Sequence, residues 1–264
     1  MKAWVAALGL ALAALARAQD GEVSPPFVTT PEDVVMRMLR IARVGSSDYV
    51  ADLGSGDGRI VIAAAREFGA KGLGIELAPG LVEKARENAR AAGVSDRATF
   101  IEGDVLQTDF SRATVVTVYL LPQLMNRLQP LFLERLAPGT RIVSHSFLMT
   151  SWKPDRSETM RIAVEDRHKG GISTIYLWIV PANARGEWEG GGWRVILSQN
   201  FQDLEAEASF DGRAVAGTSA KLSGRAVSLR APGMSFEGRI EGSRIAGELE
   251  RDGRRSPLVL RKVR

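Results

Sequence analysis

Three acids in this chain stand where they could hold a cationic nucleoside. Asp52, Glu76 and Asp104 each fall at the carboxyl end of a short apolar run, and Asp52 leads into glycine at every second position, Gly54, Gly56 and Gly58. Alternate glycines let a backbone approach a ligand closely, and a helix opening directly after them aims N–H groups at it. Glycines alone are a weak signal, because tight strand-to-helix turns use them for steric reasons. The acids sharpen it. Asp52, two residues before Gly54, would repel a pyrophosphate, whereas a ligand carrying an ammonium and a sulfonium welcomes it. Glu76, 22 residues after Gly54, stands where an acid accepts hydrogen bonds from ribose hydroxyls. Gly103-Asp104-Val105 offers a carboxylate to an adenine amino group and an apolar side chain to its ring. Asp57, inside the loop, either meets the ligand's amino group or caps the helix that follows.

Such a constellation needs strands that end together. The pattern predicts strands at 49–53, 72–77, 98–101, 114–120 and 141–147, alternating with helices at 60–68, 81–92 and 131–136. An earlier helix starts near Thr30, read as its cap, with Pro31 at the first helical position and Asp33 closing a capping box. Pro130 is read as opening the helix at 131–136, and Leu81, Ala85, Ala89 and Ala92 as the buried face of the one at 81–92. Two apolar runs, 160–164 and 172–180, suggest an antiparallel pair at one edge. The fold class expected is α/β, a Rossmann-like doubly wound, mostly parallel sheet with that edge pair, followed by a small all-β antiparallel domain. Residues 182–264 carry the signs of the latter: short alternating segments such as Trp193/Val195/Leu197 and Met234/Phe236/Gly238/Ile240, with glycine turns between them. Gly238 and Gly247 inside strands point to bulges or close backbone contacts. This half carries no evident chemistry and reads as a packing or oligomerisation module.

From Thr30 to Val180 the sequence resembles the class I, seven-β-strand methyltransferases. Asp52 to Gly58 is similar to their first motif, Gly74-Ile75-Glu76 to their ribose motif, and Gly103-Asp104-Val105 to their adenine motif. The resemblance implies S-adenosyl-L-methionine as cofactor, with Asp52, Gly54, Gly56 and Asp57 about its methionine end, Glu76 at the ribose and Asp104 and Val105 at the adenine. A narrower resemblance, to the protein-lysine methyltransferases of the mitochondrial ATP synthase c-ring protein and inner-membrane carriers and their bacterial relatives, rests on four segments. These are residues 26–31, 52–60, Val118-Tyr119-Leu120-Leu121-Pro122 and Arg141-Ile142-Val143-Ser144-His145. It implies an acceptor pocket of Thr30, Tyr119 and Pro122, in place of the Asn/Asp-Pro-Pro-Tyr motif of many amine methyltransferases, which this chain lacks.

Methyl transfer needs alignment and exclusion of water rather than a dedicated base. His145 is nonetheless a candidate catalytic group beside Tyr119, since it can titrate near neutrality; the alternative is a histidine hydrogen-bonded within the sheet edge. His168 reads as exposed in a polar loop, and Glu83–Arg86 and Glu87–Arg90 as surface ion pairs on one helix. No cluster has metal-ligand spacing, so no metal is expected. Three functions stay open: methylation of a lysine or other amine of a protein, methylation of a small molecule, and non-catalytic binding of S-adenosylmethionine.

Composition narrows the partners. The 264 residues include 35 basic and 31 acidic side chains. Without Lys2 and Arg17 the balance is 33 against 31, near +2, and the charges are dispersed, so no nucleic-acid partner is expected. Residues 1–18 read as a signal peptide: Lys2, an apolar run from Ala3 to Ala16, and Ala16-Arg17-Ala18 as cleavage site. The domains expected are therefore 1–18 signal peptide, 19–181 methyltransferase and 182–264 β domain. Export follows, or else anchoring by the uncleaved segment, and the narrower resemblance admits a membrane-associated acceptor. The chain contains no cysteine, which excludes disulfides, zinc–thiolate sites and cysteine-linked lipid.

Overall fold

The computed structural model describes residues 28–162 and 171–263. Residues 1–27, which include the proposed leader, residues 163–170, which include His168, and Arg264 lie outside them.

The first layer system is a seven-stranded sheet in the order β3-β2-β1-β4-β5-β7-β6. Its strands are β1 (Tyr49–Leu53), β2 (Lys71–Glu76), β3 (Ala98–Glu102), β4 (Val115–Val118), β5 (Arg141–His145), β6 (Arg156–Arg161) and β7 (Ile172–Ile179). The first five run parallel, while β7 is antiparallel to both β5 and β6, so the expected edge pair is present. Helices α1 (Glu32–Ile41), α2 (Arg59–Phe68), α3 (Pro79–Ala91) and α4 (Pro122–Arg135) cover the sheet. Burial on both faces explains the near-continuous apolar strands, with Val115, Val116 and Val118 fully buried on β4. The chain builds β1, β2 and β3 outward on one side, then crosses back to lay β4 on the other side of β1. That reversal opens a crevice at the carboxyl ends of β1 and β4, where open α/β sheets bind ligands.

Several local expectations change in three dimensions. Pro31, not Thr30, occupies the cap position of α1, and no side chain caps that helix. Asp33 closes no capping box; its carboxylate takes only the Val34 N–H. The hydroxyl of Thr30 turns instead to His145. Helix α4 begins at Pro122, and Pro130 lies inside it rather than at its start. An interior proline costs about 3 kcal/mol. Here it sits on the exposed side, while Met125, Leu128 and Phe132 are fully buried on the other. Burying each such side chain stabilises by roughly 1.5–3 kcal/mol, enough to carry the helix through the proline. On α3 the buried face is Val82, Ala85 and Ala89, with Leu81 only half-buried, because the helix opens two residues earlier than expected, at Pro79. Glu83 does pair with Arg86, but Glu87 pairs with Lys84 at 3.8 Å rather than with Arg90.

The second system is a nine-stranded antiparallel sheet that includes β9 (Trp193–Asn200), β11 (Arg213–Val215) and β13 (Ala226–Ala231) among its strands, in the order β11-β10-β9-β8-β16-β15-β14-β13-β12. The last strand, β16 (Arg254–Lys262), returns to pair with the first, β8 (Gly186–Gly190). The far strands β10 (Asp203–Phe210) and β12 (Ser219–Ser223) also approach each other, so the sheet curls into a half-barrel. Its inside is filled by Trp188, Trp193, Val195, Leu197, Leu229, Phe236, Ile240, Ile245 and Leu260. Gly238 and Gly247 form no bulge. They pair directly across β14 (Met234–Glu241) and β15 (Arg244–Arg251), the close backbone approach that the second reading of these glycines allowed.

A methyl group on Gly247 would lie 2.1 Å from the Glu237 carbonyl oxygen and 2.5 Å from Gly238 Cα. Both are backbone atoms in a ladder and cannot swing aside. Gly247→Ala is expected to destabilise the protein by about 1–3 kcal/mol, seen as a lowered melting temperature. Gly45→Ala, with nothing near its added carbon, should leave the melting temperature unchanged.

Candidate functional site

The turn from β1 into α2 is wedged against the end of β2. Gly54, Gly56 and Gly58 all take positive φ (78°, 53° and 82°), a conformation in which a Cβ is strained. At Gly58 space is lacking as well, since a Cβ would lie 2.6 Å from the Phe100 ring and 2.9 Å from Ala85 Cβ, while at Gly54 it would push on the end of Leu120, 2.8 Å away. The Gly54 and Ser55 N–H groups both donate to the Ile75 carbonyl (2.9 and 3.0 Å), and the Gly56 N–H donates to the Glu76 carboxylate (2.9 Å). These donors are occupied by the protein's own chain. The loop is thus a poor anion cradle, in contrast to what glycines before a helix lead one to expect.

Its electrostatics favour a cation. Asp52 is buried, 3% exposed, and accepts a hydrogen bond from the Thr117 hydroxyl at 2.7 Å across the β1–β4 pairing. Burial pushes its carboxyl up to about 7; the Thr117 bond opposes this, and the charges of Glu76 and Asp57 add to it. Ser55, in the turn that follows, has a buried hydroxyl oxygen without a hydrogen-bond partner among the described residues. A buried acid under negative potential, a polar atom left unsatisfied and a turn stripped of side chains fit a positively charged amino-acid moiety.

The other expected cofactor residues are placed as follows. Glu76 ends β2, with one oxygen on the Gly56 N–H and the other on the Ala78 N–H, so each keeps a lone pair for a hydroxyl. Asp104 folds its carboxylate onto its own turn, accepting from the Leu106 N–H (2.9 Å) and Gln107 Nε2 (3.0 Å). Val105 is buried in the same core cluster as Ile75 and Phe110. Asp57 stands one residue before Gly58, the cap position of α2, yet its carboxylate accepts the first N–H of that helix, from Arg59, at 3.3 Å, as the capping reading allowed; it also grips the Arg59 guanidinium through both oxygens, at 2.9 and 2.6 Å. Arg59 in turn donates to the Thr30 carbonyl at 2.9 Å, tying the segment before α1 to the glycine turn.

A second cluster lies one strand further on. Tyr119, just past β4, packs tilted by 37° against His145 with ring centroids 4.3 Å apart, and stacks on Phe147 at 5.9 Å and 18°. His145 is 1% exposed, with Nδ1 facing Thr30 Oγ1 at 3.3 Å and Nε2 facing Ser173 Oγ at 2.6 Å. Held at both nitrogens and packed on Tyr119, it orients that ring. His145 therefore touches both Thr30 and Tyr119. Pro122 does a different job, opening α4 on its exposed side.

Sequence reasoning missed Thr117, Ser55, Arg59, Ser173 and Phe147. Thr117 and Ser173 are ordinary strand residues whose partners lie 65 and 28 positions away, and no local pattern marks them. Phe147 is expected inside the fifth strand, which instead ends at His145, because Ser146 at φ 68° turns the chain so that the Phe147 N–H reaches the His145 carbonyl at 2.9 Å.

Known proteins are similar to this chain over the same region. The family described as the ANTKMT methyltransferase domain matches residues 52–156, beginning on Asp52. A protein-lysine N-methyltransferase of Saccharolobus islandicus is 42% identical over 156 residues, covering 59% of this chain and 93% of the relative. The lysine N-methyltransferase of the ATP synthase c-ring protein from Xenopus laevis is 39% identical over 130 residues, 49% of this chain and 55% of its own. The chain thus spans about half the length of that vertebrate relative. A Salinibacter ruber structure described as an RNA methyltransferase, with S-adenosyl-L-homocysteine bound, is 51% identical with a TM-score of 0.52, covering 58% of this chain and 93% of the other.

The Asp52 carboxyl makes a pH prediction with a defined sign. Between its ordinary value of 3.8 and about 7 the folded protein holds a proton that the unfolded chain has released. The contribution of Asp52 to stability therefore declines as pH rises through that window. A cationic ligand favours the ionised form, so affinity for S-adenosylmethionine should rise with pH across 7, with proton release on binding below it. Asp52→Asn keeps an acceptor for Thr117 and removes the charge. Calorimetric titration should find affinity at least about tenfold weaker and flat with pH, while thermal melting at pH 8 finds the unliganded variant no less stable.

Proposed function

This chain belongs to the class I S-adenosylmethionine-dependent methyltransferases, in the family of its archaeal protein-lysine relative, and on that premise we propose that it methylates the side-chain amine of a lysine in a protein. The reading is carried by one juxtaposition. A buried carboxylate at the β1 end suits the methionine moiety of the donor, and an aromatic cluster at the next two strand ends suits an alkylamine.

When bound, S-adenosylmethionine supplies an electrophilic methyl group on sulfonium. Asp52, Gly54 and Gly56 would hold its amino-acid end, Glu76 its ribose, and Asp104 with Val105 its adenine. Tyr119, steadied by His145, flanks the approach of the acceptor lysine from β4 and β5. The lysine gives up its proton to solvent before its Nε lone pair bonds to the methyl carbon, and the methyl–sulfur bond breaks as that bond forms. No side chain need take the proton; apolar, aromatic surroundings favour the neutral amine by withdrawing water from the ammonium. Alignment and exclusion of water are the protein's contribution.

We place the acceptor at a membrane, by analogy with the ATP synthase protein named for the vertebrate relative, and propose that residues 1–18 direct export, which N-terminal sequencing of the fractionated protein tests. An RNA acceptor is the second reading, favoured by the description of the Salinibacter relative.

Incubation with methyl-tritiated S-adenosylmethionine and a membrane extract should label protein, with the label on lysine after acid hydrolysis. Label confined to added RNA, or to small molecules, would overturn the lysine reading. Glu76→Ala should lose cofactor binding and labelling together, whereas His145→Phe should keep binding and reduce the labelling rate.

A further inference from the structure

The half-barrel carries no chemistry of its own, yet it reaches the loop beside the acceptor cluster. The tip between β9 (Trp193–Asn200) and β10 projects Phe201 out of the barrel and against the α/β domain. Phe201 stacks flat on Trp152, centroids 5.5 Å apart at 10°. Its own backbone is held at φ 51°, unfavourable for a bulky residue, and Gln199 Nε2 fixes its carbonyl at 2.7 Å. Gln202 completes the grip: its side-chain oxygen accepts from Trp152 Nε1 at 2.8 Å and its nitrogen donates to the Lys153 carbonyl at 2.7 Å. Trp152 is fully buried, and its carbonyl accepts from Trp178 Nε1 on β7 at 2.8 Å.

Trp152 belongs to the loop 146–155, whose other end is Phe147. That end is set by the turn at Ser146 and by the Ser144 hydroxyl donating to the Phe147 carbonyl at 2.7 Å. The middle is tied to α4, with the Thr150 N–H on Asn126 Oδ1 and Ser151 on Gln129. Strain at both Ser146 and Phe201 persists only where surrounding contacts over-determine it, and such outliers cluster at sites with a task.

We propose that the half-barrel is a positioning module for the acceptor site, with Phe201 and Gln202 clamping the loop 146–155 so that Phe147 stays packed on Tyr119. Phe201 and Gln202 touch neither donor nor acceptor; they act through Trp152. The inference rests on the acceptor reading of Tyr119, but concerns a part of the chain that reading does not use.

The test compares Phe201→Ala, Gln202→Ala and the ring-conserving Phe201→Tyr with the unaltered full chain. Readouts are calorimetric affinity for S-adenosylmethionine, labelling kinetics on the membrane extract, and hydrogen exchange of residues 146–155. Phe201→Ala is expected to raise the half-saturating extract concentration about tenfold and to speed exchange in the loop. Donor affinity should stay within about twofold, and Phe201→Tyr should restore both altered readouts. Unchanged exchange in the loop overturns the inference, as does a loss of donor affinity in step with acceptor kinetics. Should Phe201→Ala fail to fold, Gln202→Ala, which removes two hydrogen bonds and no ring, decides by the same readouts. A wild-type protein that labels no lysine removes the proposed function, and the exchange measurement still decides the clamp.

Discussion

A single buried carboxylate organises this protein's working end. Asp52 lies where the strand order reverses, flanked on one side by β2 and on the other by β4, with only the Thr117 hydroxyl to compensate it among the described residues. A lone acid so placed is costly in its charged form, and proteins meet that cost by keeping the group protonated or by bringing a cation to it. The neighbouring turn holds Gly54, Gly56 and Gly58 at positive φ, which favours glycine, so the space beside the acid stays clear of side chains at these positions. Charge and shape together select a small cationic moiety over a pyrophosphate, and the loop's N–H groups, occupied by Ile75 and Glu76, reinforce that choice.

From this point the site extends strand by strand along the crevice. On the β2 side, Glu76 both closes the glycine turn and offers remaining lone pairs, coupling loop geometry to ligand binding. On the β4 and β5 side, Tyr119, His145 and Phe147 build an aromatic cluster whose histidine is held between Thr30 and Ser173. Arg59 links the two halves, because it grips Asp57 in the turn and the Thr30 carbonyl ahead of α1. A shift in the turn would therefore be felt at His145 through Thr30. The glycine turn and the aromatic cluster are thus linked through side chains of this chain, the kind of coupling that a reaction dependent on alignment would use.

The half-barrel meets this unit at a short run of aromatic contacts and at the Gly224 turn, which lies close against Gly139 and Ile179. Phe201 stacks on Trp152, Trp178 packs tilted against Trp152 and donates to its carbonyl, and Gln199 and Gln202 satisfy backbone carbonyls around them. Paired, well-packed aromatics with satisfied N–H groups make rigid joints. A flexible tether between two domains would show none of these features.

The order of strands and helices, the edge pair, the all-β extension and the glycine turn with acids at its neighbouring strand ends were all legible in the residues, because each is a local pattern: apolar periodicity, glycine spacing, an acid at a strand end. Element boundaries and caps were less so. Thr30 has the composition of a cap and Pro130 that of a helix start, but burial of Met125, Leu128 and Phe132 outweighs the proline, and His145 claims the hydroxyl of Thr30. Asp57 looked free to meet a ligand until Arg59 took both its oxygens. What only the tertiary structure decided is which distant side chains share a polar atom or a ring face: Thr117 with Asp52, Ser173 with His145, Phe147 with Tyr119, Phe201 with Trp152. Those contacts join positions tens of residues apart, and their energies depend on packing and burial that no window of sequence contains.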